Sequence, residues 1–312
     1  MKAFVLGAGL GTRLRPLTAR RPKPLVPIYG KPLITLGFDH LIANGITSFV
    51  VNTHHCPDAY RQLLGSGGYA GKPVAYRHEP TLLDTGGGIK NVEPLIGDEP
   101  FVVYNGDILA DFPLRPSIAR HLRSGFLATL VLRSSGGPLH IEARAGRITD
   151  IRNRLGHPGD GPYLFTGITI LSPEIFRHIP AETAVSIIPI YLDLLRAGIP
   201  IGADIVDDGV WLDLGTRDSY LDAHARFAPG GVRLSYEPDA WPVAVAPDAE
   251  IDPSARLLGS CCIGAGARIG PDAVLHDCVL WENAKVTANA RLERCVVRDG
   301  ESAGGTAAGV DF

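Results

Sequence analysis

The sequence predicts an α/β domain built on a mostly parallel sheet, followed by a short left-handed parallel β-helix. Three observations point there. Short apolar runs bounded by Gly, Pro, Asn or Asp recur up to residue 228, helix-like stretches separate them, and beyond residue 245 branched apolar residues return every six positions.

The runs are "KAFVLG", "SFVVNT", "PVAYRH", "PFVVYNGD", "FLATLVLR" and "LFTGITIL". None alternates strictly, which suits strands buried on both faces, as in a parallel sheet. "ITLGFDHLIANG" reads as an amphipathic helix stopped by Gly45, returning the chain from one strand to the next. Residues 1–228 form the expected first domain. "APGGVRLSYEPDAWP" is rich in Pro and Gly and poor in periodicity, which sets a linker over residues 229–244. A repeat then fills residues 245–300, with a tail over 301–312. Val245, Ile251, Leu257, Ile263, Ile269 and Leu275 fall six apart, each followed four places on by a small residue: Ala249, Ala255, Cys261, Ala267, Ala273 and Val279. The count slips by one and resumes at Leu280, Val286 and Leu292, with Ala284, Ala290 and Val296 four on. Branched and small residues facing inward on a six-residue period are the pattern of a hexapeptide β-helix. A solenoid of about three coils leaves open ends that need capping, so the tail is read as structural or as the seat of a homo-oligomer.

With 312 residues the chain is long enough for two domains, and 45% hydrophobic with 20% charged residues is ordinary for a globular protein. A net charge of -3 offers no global field for nucleic acid or an anionic membrane, so neither is an expected partner. Cys56, Cys261, Cys262, Cys278 and Cys295 are odd in number and show no CxxC spacing, which argues against a disulfide framework and a zinc site. A reducing cytoplasm is expected. The first apolar run is too short and too broken by glycine for a signal peptide, and no segment reaches the roughly 18 apolar residues of a membrane helix.

"MKAFVLGAGLGTRLRPLTARRPKPLVPIYGKPLI" crowds Gly7, Gly9 and Gly11 against Arg13, Arg15, Lys23 and Lys31. Glycine lets backbone N–H groups approach phosphate oxygens that side chains would block. The dinucleotide pattern GxGxxG fails at Thr12, and the P-loop pattern finds no match. Gly7, Ala8, Gly9, Gly11 and Thr12 supply amide donors and Arg13 a guanidinium, which suits a triphosphate. Prolines at 22, 24, 27 and 32 restrict the chain and hold Lys23 in place. Fixed positive charge is what phosphoryl or nucleotidyl transfer requires.

"LGAGLGTRLRPLT" and "PKPLVPIYGKPLI" resemble the opening of the sugar-1-phosphate nucleotidyltransferases, or nucleotide-sugar pyrophosphorylases. The resemblance runs to about residue 227. It implies a Rossmann-like domain that joins an NTP to a sugar 1-phosphate and releases pyrophosphate, with no covalent enzyme intermediate. "YNGDIL" corresponds to the family's metal-binding turn, so the resemblance implies that Asp107 holds Mg²⁺ and that Asn105 and Gly106 lie at the sugar phosphate. "VWLDLGTRDSYLDAH" makes Asp213 the second carboxylate. "DTGGGI" matches the turn that contacts base and ribose, through Thr85, Gly86 and Gly87, and "FTGITIL" matches the strand lining the sugar pocket, through Thr166 and Gly167. Arg13 and the loop amides are implied to hold the β and γ phosphates and Lys23 to neutralise the α-phosphate. One or two carboxylates plus phosphates and water are the usual Mg²⁺ set.

Two departures from the family pattern stand out. Many members carry an E-K-P element whose Lys grips the sugar phosphate. "RITDIRNRLGHPGDGPY" has no such Lys, and Arg152 or Arg154 is expected to replace it, since Arg binds phosphate bidentately. Asp84 occupies a position where glycine is frequent, just before the base-contacting turn. Glu79 either accepts hydrogen bonds from a guanine edge or is a surface carboxylate. "TGGGI" and "YNGD" most resemble N-acetylmuramate-1-phosphate uridylyltransferases and the tail mannose-1-phosphate guanylyltransferases, leaving GTP and UTP, and both sugars, open. "NTHHCPD" is read as a loop opening a helix, since the adjacent His54, His55 and Cys56 do not converge on one ion. A non-catalytic regulatory or scaffold subunit that binds nucleotide sugars is the alternative function. An acyltransferase use of the β-helix would have only His276 as its base.

Overall fold

The computed structural model describes residues 1–65, 68–156, 161–236 and 241–312. Residues 237–240 of the expected linker and 157–160 of the stretch beside Arg152 and Arg154 lie outside the described residues. The chain forms two compact units, Met1–Leu10 with Gly37–Leu212, and Gly11–Leu36 with Asp213–Phe312.

The first unit is organised by a nine-stranded sheet in the order Val74–His78, Ser48–Thr53, Lys2–Leu6, Phe101–Asn105, Leu164–Leu171, Ala128–Arg133, Gly202–Ile205, Arg147–Ile151, Ile141–Arg144. All six apolar runs are strands. Lys2–Leu6 pairs in parallel with both Ser48–Thr53 and Phe101–Asn105. "LFTGITIL" instead runs antiparallel to both of its neighbours. Burial fixes the composition of a strand but not its direction, so periodicity could not reveal the reversal. Phe4, Val50, Phe101, Leu130 and Leu132 form the core with Ile89 and Tyr191 from the helices Asp84–Asn91 and Ile187–Arg196. Ligands of open α/β sheets collect beyond the carboxyl ends of parallel strands, and here those ends deliver Gly7, His54 and Gly106. The helix Leu33–Ala43 stops before Gly45, whose φ of 91° only glycine adopts readily. "NTHHCPD" leads into the helix Pro57–Leu64, as expected.

In the second unit, short parallel strands stack into the expected β-helix. One face pairs Glu250–Ile251, Arg268–Ile269, Lys285–Val286 and Ser302–Ala303, a second runs from Arg256–Leu258 to Thr306–Ala308, and a third stacks Cys262–Ile263, Val279–Leu280 and Val296–Val297. Glu250 faces Arg268, eighteen positions on, whereas Arg268 faces Lys285, seventeen on. The lost residue falls in the corner after Leu275. Cys278 and Cys295, rather than Val279 and Val296, therefore take the small inward places beneath Cys261, and all three thiols are buried in the coil's core. Val279 and Val296 are buried on the other side of the same strands, a face the six-residue count could not assign. The side chain of Phe312 packs on the coil's core while its carbonyl accepts from Arg298 Nε at 2.7 Å.

Two buried histidines make stability depend on pH. In the first unit His121 is held between Thr129 Oγ1 (2.9 Å) and Ser172 Oγ (3.1 Å), and in the second His224 Nδ1 lies 3.0 Å from the Tyr220 carbonyl. Desolvation pushes each imidazole down to about 4. Unfolding restores an ordinary histidine, so the unfolded chain binds more protons between about pH 6.5 and 4. Stability is then full above about pH 6.5 and falls on acidification by about 1.4 kcal/mol per histidine per pH unit. Thermal melts between pH 7 and 4.5 check this. A slope that stays the same in His121→Gln would count against it.

Candidate active site

The second unit carries a cationic cluster. Gly11, at φ 60°, turns the chain into the single helical turn Thr12–Leu14, and its carbonyl accepts from Thr18 Oγ1 at 2.8 Å. A Cβ there would stand 3.0 Å from Lys23 Cβ, so glycine lets the turn lie on the lysine stem. Lys23 opens the turn Lys23–Leu25 between Pro22 and Pro24 and is only 5% exposed. Its Nζ is 3.6 Å from Asp213 Oδ1, whose side chain remains 46% exposed. A Cβ on Gly215 would lie 3.0 Å from Arg13 Nη2 and 3.1 Å from Asp213 Oδ1, so glycine in "LDLGT" leaves room for both groups. Arg13, Lys23 and Asp213 are thus brought together.

The first unit carries a cavity of about 190 Å³ lined by Thr85, Asn105, Arg152 and Gly167, with Asp84 and His140 among its other polar walls. Leu6, Val103, Phe165 and Tyr191 supply apolar wall. Gly167 sits at φ 82° in a bulge of its strand, and any Cβ would meet Asn105 Nδ2 at 2.7 Å. Glycine there lets Asn105 reach the cavity. Thr166 lies outside it, fully buried, its hydroxyl donating to the Val131 carbonyl and its carbonyl accepting from Trp211 Nε1. Arg152 is presented by a turn whose centre is the buried Asp150, which accepts from the amides of Ile151, Arg154 and Leu155. Arg152 lines the cavity and Arg154 does not. Gly106 donates its N–H to the Leu6 carbonyl at 3.0 Å, and Asp107 follows in the turn before Ile108–Asp111.

Three residues behave differently from a reading by motif alone. Gly86 and Gly87 give their amides to the Val185 carbonyl at 2.8 and 3.0 Å, and a Cβ on Gly87 would come within 2.3 Å of the Thr183 carbonyl oxygen. These glycines admit the chain 183–187, while Thr85 Oγ1 accepts from Ile187 N at 2.9 Å. Glu79 is fully buried, not on the surface: Oε1 accepts from Asn52 Nδ2 at 2.7 Å and Oε2 from Leu83 N at 3.1 Å. Asn52, which the sequence reading did not single out, in turn accepts from Gly7 N at 2.7 Å, and Tyr60 OH donates to the Gly7 carbonyl. The only sequence signal was a polar residue closing the apolar run "SFVVNT". Gly7 is therefore tied into the protein on both sides, whereas a Cβ on Gly9 would meet nothing within 4 Å. Asp84 has φ 59°, the left-handed region glycine prefers and Asp tolerates, and its Oδ1 accepts from Thr85 N.

Asp107 and Asp213 offer hard carboxylate oxygens, the donor type Mg²⁺ selects. Among the described residues no group of three His, Cys, Asp or Glu converges.

A glycine-rich loop leaving a parallel strand in the first unit, and a buried lysine beside an aspartate in the second, are each suited to phosphate-bearing ligands. The chain belongs to the nucleotidyl transferase family, whose model matches residues 2–229. Its relatives place it among the sugar-1-phosphate nucleotidyltransferases, as expected from the sequence. It is 30% identical over 303 residues to the mannose-1-phosphate guanylyltransferase of Mycobacterium tuberculosis, covering 94% of this chain and 83% of that one. It is 33% identical over 232 residues to the N-acetylmuramate alpha-1-phosphate uridylyltransferase of Neisseria meningitidis, covering 72% and 97%. A UDP-glucose pyrophosphorylase from Acinetobacter shares the fold at a TM-score of 0.64 and 17% identity, over 75% of this chain and 95% of that one. Among the described residues no helix is long and apolar enough to cross a membrane.

Proposed function

We propose that the protein joins GTP to mannose 1-phosphate or a closely similar neutral hexose 1-phosphate, giving the GDP-sugar and pyrophosphate. The observation that carries this reading is the combination of extent and identity: similarity to the guanylyltransferase takes in 94% of the chain, and so the repeat, at 30% identity, whereas the N-acetylmuramate uridylyltransferase matches 72% and a UTP–glucose-1-phosphate uridylyltransferase matches the whole chain at only 26%. The wall of the cavity supports it. N-acetylmuramate bears a carboxylate that the Asp84 carboxylate would repel, and a neutral hexose does not.

In this reading a phosphate oxygen of the sugar 1-phosphate attacks the α-phosphorus of the NTP in line. The bond to the bridging oxygen of the β-phosphate breaks and pyrophosphate leaves. Lys23 neutralises charge on the α-phosphate, and Arg13 holds the departing phosphates with amides of Ala8, Gly9 and Thr12. Arg152 takes the sugar phosphate and Asn105 a sugar hydroxyl. Asp107 and Asp213 are the carboxylates for Mg²⁺, which when bound supplies further neutralisation of phosphate charge. Residues 1–228 carry the chemistry, and residues 245–300 serve structure and assembly. The exposed Val243, Val245, Leu258 and Val310 offer apolar surface for a homo-oligomer, and five unpaired thiols suit a cytoplasmic setting.

Pyrophosphate release with Mg²⁺, across the common NTPs crossed with a panel of sugar 1-phosphates, tests the reading. Release with GTP and mannose 1-phosphate is expected. Release only with UTP and N-acetylmuramate 1-phosphate would replace it, and nucleotide binding with no release anywhere would favour a regulatory subunit. Asp84→Asn is expected to relax the choice of sugar, raising kcat/KM for N-acetylmuramate 1-phosphate relative to mannose 1-phosphate by roughly tenfold. An unchanged ratio would remove Asp84 from the specificity argument.

A further inference from the structure

Arg21 is two residues before Lys23, and no role in the transfer has been given to it. Its side chain is only 14% exposed, with Nη2 3.3 Å from Glu282 Oε2 and 3.6 Å from Asp299 Oδ1, and its guanidinium carbon 5.0 Å from the ring of Trp281. All three partners belong to the β-helix. Trp281 is itself buried, and its Nε1 donates to Tyr220 OH at 2.9 Å, which donates onward to the Pro27 carbonyl at 2.7 Å. Pro27 is four residues after Lys23. Tyr220 stands on the helix Arg217–Arg226, whose capping box at Thr216 lies three residues beyond Asp213. One indole therefore anchors the segment bearing Lys23 from both sides and the helix that follows Asp213. Pro22 and Pro24 stiffen the short span over which the anchor acts.

We propose that Arg21, seated on Trp281, is a positioning residue that holds Lys23 in register for transfer, making the β-helix a working part of the catalytic apparatus. The inference rests on the role given to Lys23. The neighbouring Arg20 supplies the contrast, since its side chain is 81% exposed and makes a single 3.5 Å pair with Glu301. Such surface pairs contribute little.

The test uses the full-length protein and the variants Arg21→Met, Arg21→Lys and Arg20→Gln, the first also combined with Lys23→Met. Arg21→Met keeps apolar bulk over the indole and removes the charge. Displacement of a catalytic group by about 1 Å can cost on the order of a hundredfold, so Arg21→Met is expected to lower kcat roughly 10- to 100-fold with little change in KM for the NTP. Arg21→Lys should restore part of the loss and Arg20→Gln should behave as the unsubstituted protein. Combined with Lys23→Met, Arg21→Met should add almost nothing, since the group it positions is gone. An equal loss in both backgrounds, or a fall in Tm alone, overturns the inference. A second readout does not depend on turnover: mass spectrometry of Lys23 acylation by an amine-reactive reagent. Arg21→Met should raise its labelling and Arg20→Gln should not, and unchanged labelling overturns the inference even if the unsubstituted protein releases no pyrophosphate, an outcome that would instead sink the proposed activity.

Discussion

Lys23→Met is expected to lower pyrophosphate release by roughly 100- to 1,000-fold, the usual cost of deleting one preorganised charge from a transition state. Methionine keeps most of the volume of a side chain that is 7% exposed, so the fold should survive and the loss should report charge alone. KM for the NTP should change much less than kcat, because charge at the α-phosphate grows in the transition state. Single-turnover kinetics with the purified variant separate the two. A loss confined to KM would mean that Lys23 serves ground-state binding, and near-normal turnover would remove it from the mechanism.

The second large effect belongs to a glycine. Gly87→Ala puts a methyl 2.3 Å from the Thr183 carbonyl oxygen, a backbone atom that cannot swing aside, and disturbs the amide bonds from Gly86 and Gly87 to Val185. Overpacking of this kind costs about 1–3 kcal/mol, which a thermal melt would register as a drop of several degrees. Gly9→Ala offers the opposite case, with open space around its Cβ. It should melt like the unsubstituted protein and, on the proposed role of the loop, raise KM for the NTP by setting a methyl in the path of the phosphates. If Gly9→Ala destabilised the protein and Gly87→Ala did not, the division between packing glycine and ligand glycine would be reversed.

That division marks how far the sequence could be read. The strands from "KAFVLG" to "LFTGITIL", the helix ended by Gly45 and the six-residue repeat follow from apolar spacing and punctuation, which are properties of neighbouring residues. The purpose of "DTGGGI" depends on residues 183–187, about a hundred positions away, which no local pattern encodes. Glu79 likewise reads as a free carboxylate until Asn52 and Leu83 are seen to occupy both of its oxygens. The seventeen-residue coil was legible as a slip in the count, and the three cysteines as small residues of the coil's core, but the outward turn of Val279 and Val296 required the corner itself. The cationic motif was plain in the first 31 residues and Asp213 in its own motif, whereas the packing of Arg21 on Trp281, Glu282 and Asp299 was not, because contacts across such separations leave no periodic trace.

The membership of residues 11–36 in the second unit also has a bearing on synthesis. These residues are made well before the strands and helix with which they form a compact unit, which begin at Asp213. Translation at about 5–20 residues per second puts a delay on the order of ten seconds or more between the two. Throughout that interval the basic, proline-rich segment lacks its native packing while the sheet strands of the first unit are being completed. A nascent chain halted before the repeat would carry every motif of the transferase and still lack Trp281, Glu282 and Asp299, the partners of Arg21 beside Lys23, so competence should arrive late and abruptly.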